Sequence, residues 1–296
     1  MNNYDIFIFG NVSIASIKTP EGEHVIPGGA VLMSTWAAHQ LAYSVGLLTK
    51  TSYKDKVHLD EFPLAKEDIF WRESPETTSN RVIFATKSRE TRVLTNLTQA
   101  DPFKTEDFPD ISAKLVQHCS PIAGEIDYDM TQFISKKFPI ALDAQAFMRK
   151  VFPGGETEYT DWEEKRDILP LVSFFKVDAT EAAILTGFNT DTHEGRLSAG
   201  EKIVEWGAKE ALISHNKELI AVSESGVVFS PLKNRNLLGR TGRGDTSFTT
   251  YITERLTKNP KDAIIFAAAL TSLKLEIPGP FKKNRQDVEA FIRDFY

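Results

Sequence analysis

The chain has 296 residues, a length that fits one large α/β domain or a domain with a small appendage. Hydrophobic residues make up 41% and charged residues 26% of it, which is typical of a folded protein and argues against disorder. The net charge of -6 argues against nucleic acid as a partner, because binding phosphate backbones needs a basic surface. A local basic pocket is still compatible with this charge.

The cysteine count and the N-terminus indicate where the protein works. The single Cys119 cannot form an intrachain disulfide, and the six histidines show no zinc-ligand spacing. The N-terminus lacks the basic start and apolar run of a signal peptide, and no run of about 18 apolar residues occurs. These features predict a cytoplasmic protein without a membrane segment.

The first part of the chain mixes strand, hairpin and helix patterns. In chain order, the predicted elements are a buried strand at residues 4–9, a hairpin at 12–27, a helix at 30–41, a strand at 44–50 and a β region at 78–97. The β region at 78–97 contains a charged turn. We expect the inserts at 12–27 and 78–97 to pair into a small sheet outside the main domain.

From residue 113 onward, helical and strand patterns alternate. The strand candidates are residues 139–143, 174–177, 211–214 and 227–231. This alternation predicts an α/β fold with a mostly parallel sheet covered by helices on both faces. Ligands of such folds bind at the carboxyl ends of the strands. Because no repeat or linker divides the chain, we predict a single domain over residues 1–296.

One glycine-rich loop precedes a predicted helix at residues 246–256, and its sequence is Gly239-Arg240-Thr241-Gly242-Arg243-Gly244-Asp245. Its glycines let backbone N–H groups turn toward one point, where the helix N-terminus adds partial positive charge and so favours an anion. Asp245 is poorly suited to binding phosphate but well suited to taking a proton from a hydroxyl beside it. The alternative is that Asp245 only caps the helix, and spacing alone does not decide between the two.

The loop resembles the signature of the ribokinase-like (PfkB) sugar kinases, whose usual form is Asp-Thr-x-Gly-Ala-Gly-Asp. Other landmarks follow in the family's order, namely Gly28-Gly29, Asp178-Ala179-Thr180-Glu181, residues 267–272 and Pro278-Gly279-Pro280. The resemblance therefore covers nearly the whole chain. It implies a Rossmann-like three-layer sandwich with a small β-sheet lid, ATP and Mg²⁺ as cofactors, and phosphorylation of an alcohol on a sugar, polyol or nucleoside.

The resemblance also implies roles for individual residues. Asp245 would be the catalytic base, and Gly28 and Gly29 would let the backbone approach the substrate and form the lid hinge. The amides of four residues would form an anion hole for the transferring phosphate, namely Thr241, Gly242, Arg243 and Gly244. In relatives, the helix that carries Ala268 and Ser272 here flanks the adenine, although close helix packing explains these small residues equally well.

Asp178 and Glu181 follow a strand-like run and begin an apolar helix. Their spacing of three places both carboxylates on one face of its first turn. There they could hold water around a Mg²⁺ ion that is shared with the donor phosphates. They match the family's Asn-x-x-Glu motif with Asp in place of Asn. The alternative is a capped helix with a Glu favoured by the helix dipole.

Candidate substrate contacts follow two predicted strands. Asn11 and Ser13 come after the first predicted strand, Asp143 ends the strand at 139–143, and Arg149 follows it. Members of the resembled family often have polar residues at this second place, facing phosphate or substrate. Surface charge would explain Asp143 and Arg149 nearly as well.

Besides Asp178, four positions depart from the family pattern. Ala15 stands where the family has its sugar-binding Asp, and Met33 stands where it has an Asn, so ribose-type recognition is in doubt. Gly239 replaces an Asp that helps bind a monovalent cation in many relatives, which predicts weak or absent activation by K⁺. Arg243 replaces a small Ala, and its guanidinium could reach phosphate or a substrate carboxylate.

The variant loop, together with residues 143–149 and Phe175-Lys176-Val177-Asp178, resembles a family branch associated with inositol and sugar-acid metabolism. We therefore predict an ATP-dependent kinase that phosphorylates a small sugar, cyclitol or sugar acid. A nucleoside kinase is the enzymatic alternative, and a catalytically weak ligand-binding protein is the non-enzymatic one. The presence of Asp245 argues against the latter. A lid with an exposed edge also suggests a homodimer formed through the lid.

Overall fold

The computed structural model describes residues 3–20, 22–84 and 92–296. The strands are β1 (Asn3–Tyr4), β2 (Ile6–Phe9), β3 (Ser13–Thr19), β4 (Gly22–Gly28), β5 (Val45–Thr51), β6 (Ile69–Glu73), β7 (Thr78–Phe84), β8 (Arg92–Thr98), β9 (Ser112–Ala113), β10 (Val116–His118), β11 (Ile140–Asp143), β12 (Arg149–Val151), β13 (Thr157–Tyr159), β14 (Phe174–Asp178), β15 (Glu210–Ser214), β16 (Glu218–Ser223) and β17 (Gly226–Pro231).

The α-helices are α1 (Gly29–Gln40), α2 (Tyr128–Ser135), α3 (Gln145–Met148), α4 (Lys165–Ile168), α5 (Ala179–Thr186), α6 (His193–Glu205), α7 (Arg243–Glu254), α8 (Pro260–Leu275) and α9 (Arg285–Phe295). Short 3₁₀ helices cover Tyr53–Glu61, Lys66–Asp68, Thr105–Asp107 and Leu169–Leu171. Within the described residues, no helix combines the length and the apolarity needed to cross a membrane.

The central sheet has the strand order β17-β16-β15-β14-β11-β10-β2-β5-β6. Neighbours from β15 to β6 are parallel, whereas β16 and β17 are antiparallel additions at one edge. The chain runs outward from β2 through β5 and β6, and then crosses to β10 on the other side of β2. This reversal between β2 and β10 is the place where an open α/β sheet leaves a crevice for a ligand.

Strand β2 shows why the central sheet has helices on both faces. Its sequence Ile-Phe-Ile-Phe lacks polar alternation, and all four residues are buried. Ile6 and Ile8 join a core cluster with residues of α1, α7 and α8, whereas Phe7 and Phe9 join one with residues of α2, α5 and α6. Successive side chains of a strand point to opposite faces, so each helical layer covers one face. The predicted three-layer α/β fold is confirmed.

The two inserts form a separate sheet of order β4-β3-β7-β8. Hairpins β3–β4 and β7–β8 are joined by parallel pairing of β3 with β7, from Ser13 opposite Thr78 to Lys18 opposite Ile83. This confirms the expected small sheet, which we call the lid. Part of the predicted hairpin turn in the first insert, at Glu21, and the predicted charged turn at 87–90 lie outside the described residues.

Sequence analysis missed a third contribution to the lid. The hairpin β12–β13 bridges it, because Thr95 of β8 pairs with Glu156 and the amide of Asn96 donates to the carbonyl of Gly155 at 2.7 Å. Sequence analysis also missed strands β6, β10 and β16, which are short or lie between longer elements. The lid is therefore tied to the central domain at residues beyond its two inserts.

Candidate active site

The glycine loop leads directly into α7. Gly242 has φ 79°, a left-handed conformation that glycine adopts without steric cost, and it is the N-cap of the helix. The helix therefore begins at Arg243 and not at 246 as predicted, so Asp245 lies inside its first turn. The first amide groups of a helix have no intrahelical partner, and together with the helix dipole they favour an anion.

Asp245 is partly exposed in this first turn. Its Oδ1 accepts a hydrogen bond from Nε2 of Gln145 at 3.4 Å, which orients the carboxylate from the start of α3. Gly242, not Asp245, occupies the N-cap position, and the cap has no side-chain hydrogen bond. The geometry thus differs from the capping alternative and leaves Asp245 beside the amides that begin the helix.

Lys176 lies directly under the loop. It is 4% exposed, and a Cβ on Gly244 would come within 3.1 Å of its Nζ. The ammonium is 2.9 Å from Oδ2 of Asp143 and 3.7 Å from Oε2 of Glu181. Burial opposes its charge, but these two carboxylates outweigh burial and raise the pKa of Lys176. A charged lysine, paired with these carboxylates, therefore lies beneath the loop. The sequence signal for this, a lysine within the apolar run of β14, was available but was not interpreted.

Asp178 and Glu181 form a reciprocal capping box at the start of α5. Oδ1 of Asp178 accepts from the amide of Glu181 at 2.8 Å, and Oε2 of Glu181 accepts from the amide of Asp178 at 2.6 Å. Glu181 is 1% exposed, whereas Asp178 is partly exposed at the end of β14. Burial and the carboxylates of Asp178 and Asp143 raise the pKa of Glu181, although Lys176 lowers it. The alternative of a capped helix therefore describes the contacts that these two residues make. Of the two carboxylates, only that of Asp178 is partly exposed.

Gly28 and Gly29 connect the lid to α1, as predicted. Their φ angles are 124° and 67°, and a Cβ on Gly29 would lie 2.1 Å from Oγ of Ser13. Both φ angles lie in the region that favours glycine, and a Cβ on Gly29 would also collide with the Ser13 side chain. Further along α1, Met33 packs on the glycine loop, since a Cβ on Gly242 would be 2.5 Å from its Cγ. The helix that follows Gly28 and Gly29 therefore contacts the glycine loop.

Asn11 lies at the reversal point between β2 and β10 and is fully buried. Its amide N donates to Oε2 of Glu125 at 3.0 Å, while among the described residues its side-chain Nδ2 and Oδ1 have no partner. Glu125 is also fully buried, and its Oε2 is 3.7 Å from Nε2 of His118. Buried polar atoms without hydrogen-bond partners destabilise the fold, so this cluster is suited to binding a polar ligand. Sequence analysis missed Glu125 and His118.

Asp143 and Arg149 have protein partners. Arg149 is 7% exposed and donates to the carbonyl of Pro121 at 2.7 Å and, through Nε, to the hydroxyl of Tyr159 at 3.1 Å. Asp143 binds Lys176 and accepts from the amide of Gln145 at 3.1 Å. Asp143 therefore helps position the residues around Asp245, while Arg149 holds the β12–β13 hairpin.

Ala268 and Ser272 do not lie on an open surface. Both are fully buried in α8, and Oγ of Ser272 accepts from the amide of Lys233 at 2.8 Å. The hydroxyl of Tyr296 lies 3.5 Å from the same Oγ and donates to the carbonyl of Pro231 at 2.7 Å. The segment after β17 and the final residue thus cover the face that was predicted to flank adenine.

The other side of the glycine loop is basic. The guanidinium of Arg243 donates to the side chain of Asn216 in the turn between β15 and β16. In this turn, burial together with the charges of Arg196, Arg243 and Lys217 lowers the pKa of His215. Arg196 is itself paired with Glu218, whose charge opposes this lowering, which leaves Arg243 and Lys217 as the other cations that act on this turn.

The sequence profile of the pfkB family of carbohydrate kinases matches residues 25–285. The chain belongs to the PfkB family. This confirms the resemblance and identifies the protein as a ribokinase-family carbohydrate kinase, with the lid and central sheet of that fold. A comparison with curated protein sequences gives no significant match.

Solved structures similar to this PfkB kinase include two pyrophosphate-dependent kinases of the ribokinase family. One, in complex with sulfate, is 29% identical with a TM-score of 0.86, and the match covers 96% of this chain and 99% of that one. Another, in complex with a pyrophosphate analog and myo-inositol, is 30% identical with a TM-score of 0.84 and the same coverage. Arabidopsis thaliana ribokinase, in complex with ribose and ATP, shares the fold at 16% identity, with a TM-score of 0.76 over 99% of both chains.

Proposed function

We propose that this PfkB kinase transfers a phosphoryl group from inorganic pyrophosphate to one hydroxyl of a cyclitol such as myo-inositol. The observation that carries the chemistry is the partly exposed carboxylate of Asp245, oriented by Gln145 in the first turn of α7. A relative that is 30% identical over nearly the whole chain was solved with a pyrophosphate analog and myo-inositol. ATP, the phosphoryl donor expected from the sequence, is untested, and an assay that compares both donors distinguishes it from pyrophosphate.

In the proposed reaction, a hydroxyl oxygen of the substrate attacks the near phosphorus atom of the donor. The bridging P–O bond breaks, inorganic phosphate leaves, and the hydroxyl proton passes to the carboxylate of Asp245. The amides at the start of α7 and the ammonium of Lys176 stabilise the negative charge on the transferring group. Such fixed donors act on charge that develops in the transition state, so their removal lowers turnover more than binding.

The donor side favours a short, highly charged donor over a nucleotide. The adenine base of a nucleotide donor would pack on the α8 surface at Ala268 and Ser272. Residues 231–233 together with Tyr296 cover that surface. Pyrophosphate has no base, and its second phosphate would meet the cations near Arg243 and Lys217.

Magnesium would be shared between the donor and the partly exposed Asp178. Among the described residues, no group of three or more His, Cys, Asp and Glu side chains could hold a metal by themselves. This suits Mg²⁺, which keeps several waters and takes its other ligands from substrate phosphates. When bound, it would neutralise phosphate charge, while buried Glu181 orients Asp178 through the capping box.

The polar cluster at Asn11 suits a substrate that is rich in hydroxyl groups. A hydroxyl both donates and accepts, so it can satisfy the amide of Asn11 and the carboxylate of Glu125 at once. Ala15 and Met33 lack the polar groups that the ribose-specific pattern would require. A cyclitol fits this combination better than a nucleoside.

A two-donor assay tests the proposal. Phosphate release with pyrophosphate and ADP release with ATP are measured against myo-inositol, other cyclitols, sugars, sugar acids and nucleosides, with Mg²⁺ present. We expect cyclitol-dependent phosphate release with pyrophosphate and at least tenfold lower kcat/KM with ATP. Turnover with ATP at equal or higher kcat/KM would overturn the donor assignment, and a preference for nucleosides or sugar acids would overturn the substrate assignment.

A further inference from the structure

Lys274 is a buried lysine that contacts the glycine loop through two of the loop's carbonyl groups. It lies on α8 and is 2% exposed. Its Nζ donates to the carbonyl oxygen of Gly239 at 2.5 Å and to that of Thr241 at 2.7 Å. Sequence analysis did not select this residue, because 33 and 35 positions separate it from its two partners.

The loop is pressed against the C-terminal end of α8 around this ammonium. The amide of Gly239 donates to the carbonyl of Leu275 at 2.7 Å. A Cβ on Gly239 would lie 2.0 Å from the carbonyl oxygen of Ile277 and 2.4 Å from that of Lys274, so no side chain fits there. The carboxylate that many relatives place at this position, to bind a monovalent cation, is thus sterically excluded here.

The two hydrogen bonds fix the direction of the loop amides. In a planar trans peptide, the C=O and N–H groups point in opposite directions. When the carbonyls of Gly239 and Thr241 point toward Lys274, the amides of the following residues, Arg240 and Gly242, point away from it. Lys274 therefore orients the loop without contacting the anion.

The ammonium has an unusual environment for a buried charge. Burial lowers the pKa of Lys274 to about 8, and the charge of Asp245 offsets part of this effect. Among the described residues, its hydrogen-bond acceptors are backbone carbonyls, as they would be for a small bound cation. Burying such a charge costs several kcal/mol unless its partners are well placed.

We propose that Lys274 is a positioning residue whose ammonium does the work of a dissociable monovalent cation, holding the glycine loop in its anion-binding conformation so that the kinase needs no K⁺. The inference rests on the proposed phosphoryl transfer for its kinetic test, but not for its binding test. It identifies the group responsible for the K⁺ independence that Gly239 predicts.

Cation rescue tests the proposal kinetically. Turnover of wild type, Lys274→Ala and Lys274→Met is compared in tetramethylammonium, K⁺ and NH₄⁺ chloride at equal ionic strength. We expect wild type to vary less than twofold among the salts, and both variants to lose about tenfold or more in kcat with little change in KM. K⁺ or NH₄⁺ should restore kcat by about fivefold or more in Lys274→Ala, where a cavity opens, and not in Lys274→Met, whose side chain fills it.

A matched control is Lys50→Ala. Lys50 is 5% exposed and also donates to a backbone carbonyl, that of Pro102 at 2.9 Å, but it lies outside the glycine loop. In Lys50→Ala, K⁺ or NH₄⁺ should not raise kcat. Wild-type kcat in Lys274→Ala, loss without rescue by either cation, or stimulation of wild type by K⁺ would each overturn the proposal.

Sulfate binding provides a readout that does not need turnover. Sulfate, as an anion probe, should raise the Tm of wild type equally with or without K⁺, and should raise that of Lys274→Ala only when K⁺ is present. If the enzyme proves inactive with every donor while this pattern holds, the proposed function fails and the role of Lys274 stands. Equal sulfate stabilisation of both proteins without K⁺ overturns the role of Lys274 whatever the activity.

Discussion

Gln145 donates from Nε2 to Oδ1 of Asp245 across 3.4 Å and so joins two residues that are 100 positions apart in the chain. The bond links the start of α3, two residues after β11, to the first turn of α7. Since Asp143 accepts from the amide of Gln145 and also binds Lys176, one connected network orients the carboxylate and holds the charge beneath the loop. A carboxylate fixed in this way can accept a proton without first reorganising.

Replacing Asp245 by Asn tests its role as base. The amide keeps the shape but cannot take the proton, so kcat should fall by about 10²–10⁴-fold, the usual contribution of general base catalysis. The KM for the donor should change little. Steady-state kinetics of Asp245→Asn are compared with those of Asp161→Asn, whose surface carboxylate is 56% exposed. Turnover near the wild-type rate in Asp245→Asn would rule out the assignment.

Gly242→Ala tests the conformation of the loop. Gly242 has φ 79°, and an added Cβ would come within 2.5 Å of Met33, so both backbone strain and a clash are expected. Gly187 has the same φ of 79° but nothing within 4 Å of the added atom, so Gly187→Ala isolates the strain. Both variants should lose about 1 kcal/mol of stability from strain, while only Gly242→Ala should lose about tenfold or more in kcat. Equal kcat in the two variants would contradict this.

The pH dependence of turnover should reflect Lys274. Its pKa of about 8 means that the ammonium deprotonates as pH rises through that value, so kcat should decline there. Among the described residues, Asp245 of α7 is the charged group whose field acts on it. Between about 8 and the ordinary lysine value of 10.5, the unfolded chain binds more protons than the folded one, so stability contributed by this group rises with pH.

The alkaline loss of activity should therefore occur without unfolding. A kcat–pH profile is recorded beside thermal melts at each pH, and Lys274→Met provides the control because it has no titrating group. We expect the kcat of Lys274→Met to stay constant over the pH range in which the kcat of wild type declines. A decline of the same midpoint in Lys274→Met would assign the titration to another residue.

Glu254→Gln tests a buried ion cluster at the far end of α7. Glu254 is fully buried and binds Arg285 at 2.6 Å, Lys258 at 2.7 Å and the hydroxyl of Tyr43 at 3.0 Å. Burial would raise its pKa, but the hydrogen bonds from Arg285 and Lys258 hold the pKa below its ordinary value. Loss of the charge should cost about 3–5 kcal/mol, measured by denaturant unfolding.

Glu205→Gln is the surface control for this cluster. Glu205 pairs with Lys202 at 2.7 Å but is 66% exposed, so its loss should cost no more than about 1 kcal/mol. Because the pKa of Glu254 is lowered in the fold, its contribution is present above the unfolded pKa and disappears as pH falls through the folded one. The difference between the two variants should therefore shrink in acid, and a difference independent of pH would refute the electrostatic origin.

Local patterns in the sequence were enough to predict the α/β class, the glycine loop with Asp245, the paired inserts of the lid and the family. Each depends on residues that are close in the chain: a run of apolar residues predicts a buried strand, and glycines before a helix predict an anion site. Helix α1 was predicted to within one residue at each end. The start of α7 was not, because the left-handed Gly242 begins the helix earlier than the change in composition indicates.

Short segments such as the glycine loop can therefore be identified from local sequence, whereas the side chains that contact them follow from how the chain packs. The meeting of Gln145 with Asp245 and of Lys274 with Gly239 depends on strand order and helix packing, which local spacing does not encode. The same holds for Ser272, whose small side chain suggested a nucleotide contact until packing placed Lys233 and Tyr296 against it. Whether a side chain is buried depends on the residues that pack over it, and these come from distant parts of the chain.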